Sequence, residues 1–129
     1  MHAADEIERG ISRFAAGPNG GLIIVGPPSS RVIHRDLIIT LAARNKLPAV
    51  YPNRLFSTHG GLMAYGADSL DQYHRAASYV DRILRGEKPG DLPVQAQTRL
   101  AMVINLNTAK ALGLDVPPTL LIRADEVIE

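Results

Sequence analysis

The chain contains no cysteine, so neither a disulfide framework nor a thiolate metal site is available, and redox chemistry says nothing about compartment. Neither sign of charge is in excess. Fourteen Lys and Arg face thirteen Asp and Glu, for a formal net charge of +1, and the two signs are interspersed. That balance excludes the electrostatic footprint of a nucleic-acid binder or of a protein bound to an anionic membrane surface. Long apolar runs are missing too, so nothing in the sequence is built to span a bilayer. The N-terminal MHAADEIERGISRF is charged from its fifth residue and lacks an apolar core with a cleavage site, so as it stands it is not a secretory signal. On these grounds alone the chain as given is expected in the cytosol. Internal repeats and low-complexity tracts are absent. What remains, 129 residues with 46% hydrophobic and 21% charged, is the composition of one ordinary globular domain.

Patterning divides the chain into alternating helices and strands. Ile7, Ile11 and Phe14 form one apolar stripe over residues 3–16, ended by Gly17-Pro18. GLIIV reads as a buried strand and GPPSS as a loop. A helix capped by Ser29 or Ser30 carries Ile33, Leu37, Ile38 and Leu41 as far as Asn45. LPAVY is a second strand, PNRLFSTHG a loop and GLMAYG a third strand. DSLDQYHRAASYVDRILRG is a long helix capped by Asp68, with a stripe through Leu70, Tyr73, Ala77, Val80 and Leu84. EKPGDLPVQAQT has the turn residues of an extended surface connection. LAMVINL is a fourth strand, and a short helix capped by Asn107 closes at Gly113. TLLIRADEVI then follows Pro117-Pro118.

This alternation predicts an α/β fold with a mainly parallel sheet and flanking helices. The set looks incomplete, because doubly wound domains commonly open on a strand and carry five or six of them. Residues 1–86 read as a partial α/β lobe, 87–98 as a crossover connection, and 99–129 as a terminal βαα segment with too little apolar surface to fold alone. NTAKALGLDVPP, at residues 107–118, is expected to pack on something outside that lobe.

Two stretches carry a family resemblance: GGLMAYGADSLDQYHRAASYVDRILRGEKPGDLPVQ and LAMVINLNTAKALGLDVPPTLLIRADEVIE. With the upstream LAARNKLPAVYP, they resemble the C-terminal part of bacterial ABC transporter substrate-binding proteins, two-lobed periplasmic solute receptors of a type I-like fold. The resemblance implies a small organic solute such as an amino acid, lobe closure around it, and delivery to an ABC permease. Members are longer and carry a signal and an N-terminal lobe. The expectation is therefore a truncated receptor whose terminal segment would pack on that lobe, or on a second copy to give a homo-oligomer. The alternative is a cytosolic homo-oligomeric structural or regulatory module without solute binding.

No catalytic constellation is visible, and no cofactor is implied. His2, His34, His59 and His74 lack metal-ligand spacing. GPNGG precedes a strand rather than a helix, so it is a turn and not a phosphate loop. The serines lack a hydrolase elbow, and a small enzyme built around Asp68 has no base, nucleophile or metal partner. Ligand contacts belong instead at the C-terminal ends of strands. Ser29 and Ser30 offer hydroxyls to a carboxylate, or simply cap a helix. Tyr51 with Asn53 offers an aromatic wall and an amide, or Tyr51 is only packing. Tyr65 and Asp68 flank a strand-to-helix turn, where Asp68 pairs with a ligand ammonium or serves only as a cap.

Overall fold

The computed structural model describes residues 3–25, 33–96 and 98–129. In chain order these form α1 (Ala3–Ala15), β1 (Leu22–Ile23), α2 (Arg35–Arg44), β2 (Ala49–Tyr51), α3 (Arg54–Thr58), β3 (Met63–Ala67), α4 (Ser69–Leu84), β4 (Leu100–Asn105), α5 (Leu106–Leu112), α6 (Pro118–Arg123) and β5 (Glu126–Ile128). The strands make one sheet in the order β1-β2-β3-β4-β5. Pairing is parallel for β1 with β2, β2 with β3, and β4 with β5. β3 and β4 run antiparallel, with Asn105 N–H donating to Leu62 O at 2.9 Å and Asp68 N–H to Arg99 O at 3.2 Å. The sheet is thus mixed and mostly parallel, as the alternating pattern predicts.

Contacts divide the chain into two units, Met1–Gly66 with Ala101–Glu129, and Ala67–Leu100. These bounds differ from those at residues 86 and 99 read from the sequence pattern. The terminal segment is part of the first unit, and the long helix is the piece set apart.

In the first unit, Ile38, Ile39 and Ala42 of α2 pack with Ala49 and Tyr51 of β2 and Phe56 of α3. Ile7 and Ile11 of α1, with Leu22 and Ile24, are partly buried against this core. α2 buries a wider arc than a single stripe, Ile38, Ile39, Leu41 and Ala42, while Ile33 is exposed. The segment expected to be a loop after β2 contains α3, because Phe56 turns inward at 1% exposure and draws the backbone into one helical turn. Sequence reasoning saw only turn-forming residues there.

The terminal segment is held by specific bonds. Asn105, 6% exposed, donates from its side chain to Ser57 O at 2.9 Å. Its Oδ1 accepts from Thr108 N–H at 3.0 Å, so the α5 cap is Asn105 and not Asn107. The Thr108 hydroxyl donates to Gly60 O at 3.0 Å. Gly113 ends α5 at φ 72, a left-handed closure that favours glycine. Beyond α6 the chain forms a fifth strand, β5, where the sequence suggested none. Arg54 grips Glu126 of β5 with two bonds of 2.6 and 2.7 Å, and this holds the Glu126 carboxyl below its ordinary range. NTAKALGLDVPP therefore sits against residues 57–60 of its own lobe, with Val103, Ile104 and Ala109 buried around it.

In the second unit, the Asp68 side chain accepts from Leu70 and Asp71 N–H and pairs with Arg99 at 3.3 Å. The returning segment lies along one face of α4, where Arg75 donates to Thr98 at 3.1 Å and the Tyr79 hydroxyl donates to Pro93 O. No residue of α4 is buried.

Candidate functional site

The parallel strands of the first unit point their C-terminal ends the same way, with β3 running three residues past the end of β2. Leu22 lies beside Ala49, Val50 beside Met63, and Tyr51 beside Ala64. Side chains alternate across a strand, so Ala49, Tyr51 and Ala64 face the helices, whereas Ile23, Val50, Met63 and Tyr65 face the other way. Beyond β2 comes Pro52-Asn53, and beside it, near the end of β3, lies Gly66. A Cβ at Gly66 would overlap the Pro52 carbonyl oxygen and reach its carbon at 3.0 Å. Only glycine lets these two strand ends approach so closely.

Of the sequence-expected site residues, Ser29 and Ser30 lie outside the described residues. Tyr51 is 2% exposed and stacks on Phe56, with ring centroids 4.9 Å apart and planes 18° apart. Its place is in the core, below the strand ends. Burial pushes its hydroxyl pKa up to about 12. The folded chain then keeps Tyr51 neutral at pH values where an unfolded chain, with an ordinary value of 10.0, ionises it. This part of stability is intact below pH 10 and falls as pH rises from there to about 12, at up to about 1.4 kcal/mol per pH unit. Urea unfolding at pH 9 and 11 measures this fall, and Tyr51→Phe is expected to reduce it.

Asn53 enters α3 in an extended conformation and makes no capping bond with its side chain. Its Oδ1 is buried without a hydrogen-bond partner among the described residues. An amide oxygen left so costs roughly 1–3 kcal/mol. Tyr65 is half exposed on the opposite face of β3 from the core. Asp68 belongs to the second unit, where capping α4 and pairing with Arg99 already occupy its carboxylate.

A groove of about 210 Å³ lies within the second unit, lined by Asp71, Arg75, Tyr79 and Gln95 among others. It is smaller than the usual 300–1,000 Å³ of small-molecule sites, and its two charges pair with each other at 2.9 Å. No sequence pattern points to it, because Gln95 and Ala96 reach α4 only through the fold of the returning segment. Among the described residues no group of three or more His, Asp or Glu could hold a metal, and no helix is long and apolar enough to cross a membrane.

The profile of the family described as ABC transporter substrate binding protein matches residues 17–128. The chain belongs to that family. Its members are substrate-binding proteins rather than enzymes. Among solved structures, a conserved domain protein from Vibrio cholerae is similar, with a TM-score of 0.76 and 24% identity over 96% of this chain and 41% of that one. A protein from Streptococcus pneumonia, described as an ABC domain in complex with L-Trp, has a TM-score of 0.75 and 22% identity over 97% and 43%. A ligand-free, open substrate-binding protein with adhesive properties from Clostridium difficile has a TM-score of 0.69 and 20% identity over 99% and 42%. At these identities the likeness speaks for the fold, periplasmic-binding-protein-like α/β. Among curated protein sequences none matches. The family member thus spans about two fifths of the length of each of these three structures.

Proposed function

We propose that this chain supplies one wall of a solute cleft, taking a small organic solute of the amino-acid class and serving an ABC permease outside the cytoplasmic membrane. The observation that carries this reading is the buried, unpartnered Oδ1 of Asn53, two residues beyond the C-terminal end of β2 in a set of parallel strands. In an open α/β sheet those ends are where ligands bind, and an amide oxygen without a partner suits a ligand ammonium or hydroxyl. Tyr65 adds an exposed aromatic face, and Ser29 and Ser30, which follow β1 in the sequence, remain candidates for contact with the solute. Tyr51 supports the wall from beneath. Family membership and the L-Trp bound in one structural neighbour support the solute class.

Thermal unfolding of the chain with a panel of L-amino acids and small aromatic acids tests the proposal. At ten times Kd, a ligand that binds only the folded form stabilises by about 1.4 kcal/mol, a shift of a few degrees. Asn53→Leu is expected to abolish the shift while leaving the free chain as stable or slightly more so, since it removes an unsatisfied polar atom. A panel without any shift would overturn the reading.

A further inference from the structure

We propose that Asn19 is a site of spontaneous covalent modification, where the folded chain converts a side-chain amide into an aspartate or an isoaspartate. The inference is independent of solute binding and of the second unit. The turn from α1 to β1 calls for an Asn-Gly pair on structural grounds. Asn19 has a φ of 56, in the left-handed region that asparagine enters more readily than most residues. At Gly20 a Cβ would stand 2.8 Å from the Phe14 ring and 3.4 Å from the Leu47 side chain, so a larger residue would have to displace the ring. The same pair is chemically labile. The backbone nitrogen of Gly20, which no side chain shields, attacks Asn19 Cγ and closes a five-membered succinimide. The side-chain nitrogen leaves as ammonia, taking up the proton lost from the Gly20 amide. Water then opens the ring. Addition at Cγ gives aspartate, and addition at the main-chain carbonyl gives isoaspartate, whose backbone runs through the side chain and is one methylene longer.

The fold restrains the other four asparagines and leaves this one free to react. Asn45 donates through Nδ2 to Leu41 O at 2.8 Å, and the following N–H, of Lys46, donates to Ala43 O at 3.1 Å. Asn105 is 6% exposed, with its Nδ2 bound to Ser57 O. After Asn107, the N–H of Thr108 is held by Asn105 Oδ1 at 3.0 Å. Asn53 opens α3 with its Oδ1 buried, and Arg54 behind it has a side chain to crowd the attacking nitrogen. Asn19 is exposed, lies outside any helix or strand and is the one asparagine that precedes a glycine. Among the described residues neither its side chain nor the Gly20 N–H has a hydrogen-bond partner. Attack requires the Gly20 nitrogen to come over the Asn19 side chain. A flip of the single peptide between the two residues brings it there, and the conformational freedom of glycine permits that flip.

Incubation at about pH 8 and about 37 °C, folded and in about 8 M urea, followed by peptide mass spectrometry, tests the proposal. In the folded chain a gain of about 1 Da is expected at Asn19, at a rate within about tenfold of that in urea and at least about tenfold above that of any other asparagine. Asn19→Gly keeps the positive φ without the amide and is expected to show no gain in that peptide. Ion exchange separates the product, since its formal net charge falls from +1 to zero. Its isoaspartyl fraction is expected to melt a few degrees lower, because the longer backbone shifts Gly20 against Phe14. Conversion at Asn19 more than tenfold slower in the folded chain than in urea would overturn the proposal. A gain at Asn45, Asn53, Asn105 or Asn107 as fast as at Asn19 would overturn it as well.

Discussion

Phe56→Ala is expected to destabilise the chain by about 3–5 kcal/mol, enough to leave much of it unfolded at physiological temperature given total stabilities of about 5–15 kcal/mol. Phe56 is 1% exposed and lies in the core cluster with Ile38, Ile39, Ala42, Ala49 and Tyr51. Its removal deletes the stack on Tyr51 and leaves a cavity between α2, β2 and α3. Little can collapse into that space, because the α3 backbone is tied on both sides. Phe56 O accepts from Gly61 N–H at 2.8 Å, and the adjacent Ser57 O accepts from Asn105. A urea melt gives the value directly. Phe56→Leu fills much of the same volume, so a loss of less than half that of the alanine change would identify packing as the cause.

Gly66→Ala is expected to cost about 3 kcal/mol or more, although it adds only one methyl group. Among the described residues the positive-φ glycines are Gly60, Gly86 and Gly113 and not Gly66, so the cause is approach and not conformation. The new Cβ would meet the backbone of Pro52, which cannot rotate away as a side chain could. Relief requires β3 to move from the end of β2, and that shift displaces Asn53 next to Pro52. The substitution is therefore expected to lower the melting temperature by roughly 10 °C and to weaken solute binding together. A stable Gly66→Ala chain would mean that the strand ends are looser than described.

Much of this architecture is legible in the sequence. Apolar runs located the cores of β1 to β4, and the capping residues Asp68 and Gly113 were visible as such. What could not be read was the partner of each apolar face. A short pattern such as TAKALG shows that one side of a helix is apolar and is silent on what it meets. The contacts group residues 101–129 with the first unit, and α4, whose stripe looks like an ordinary core face, belongs to the second. β5 escaped notice because Glu126, Val127 and Ile128 are too few for a periodic signal, and only the pairing of Val103, Ile104 and Asn105 with them makes a strand. Tyr51 and Tyr65 show the same limit at the candidate site. Alternation says that residues two apart share a face, but which face is covered depends on where the helices fall. Asn53 was visible as a candidate by position, whereas its unpartnered oxygen exists only in the fold.

The central claim is that solute meets the strand ends of the first unit, and an amide-resolved NMR titration with L-tryptophan and the other panel members tests it most directly. Saturable shifts at Asn53, Arg54, Tyr65 and Gly66, with the groove residues Gln72 and Ala76 unmoved, are the expected result. Shifts confined to residues 71–79 and 95–96, or none with any solute, would contradict it.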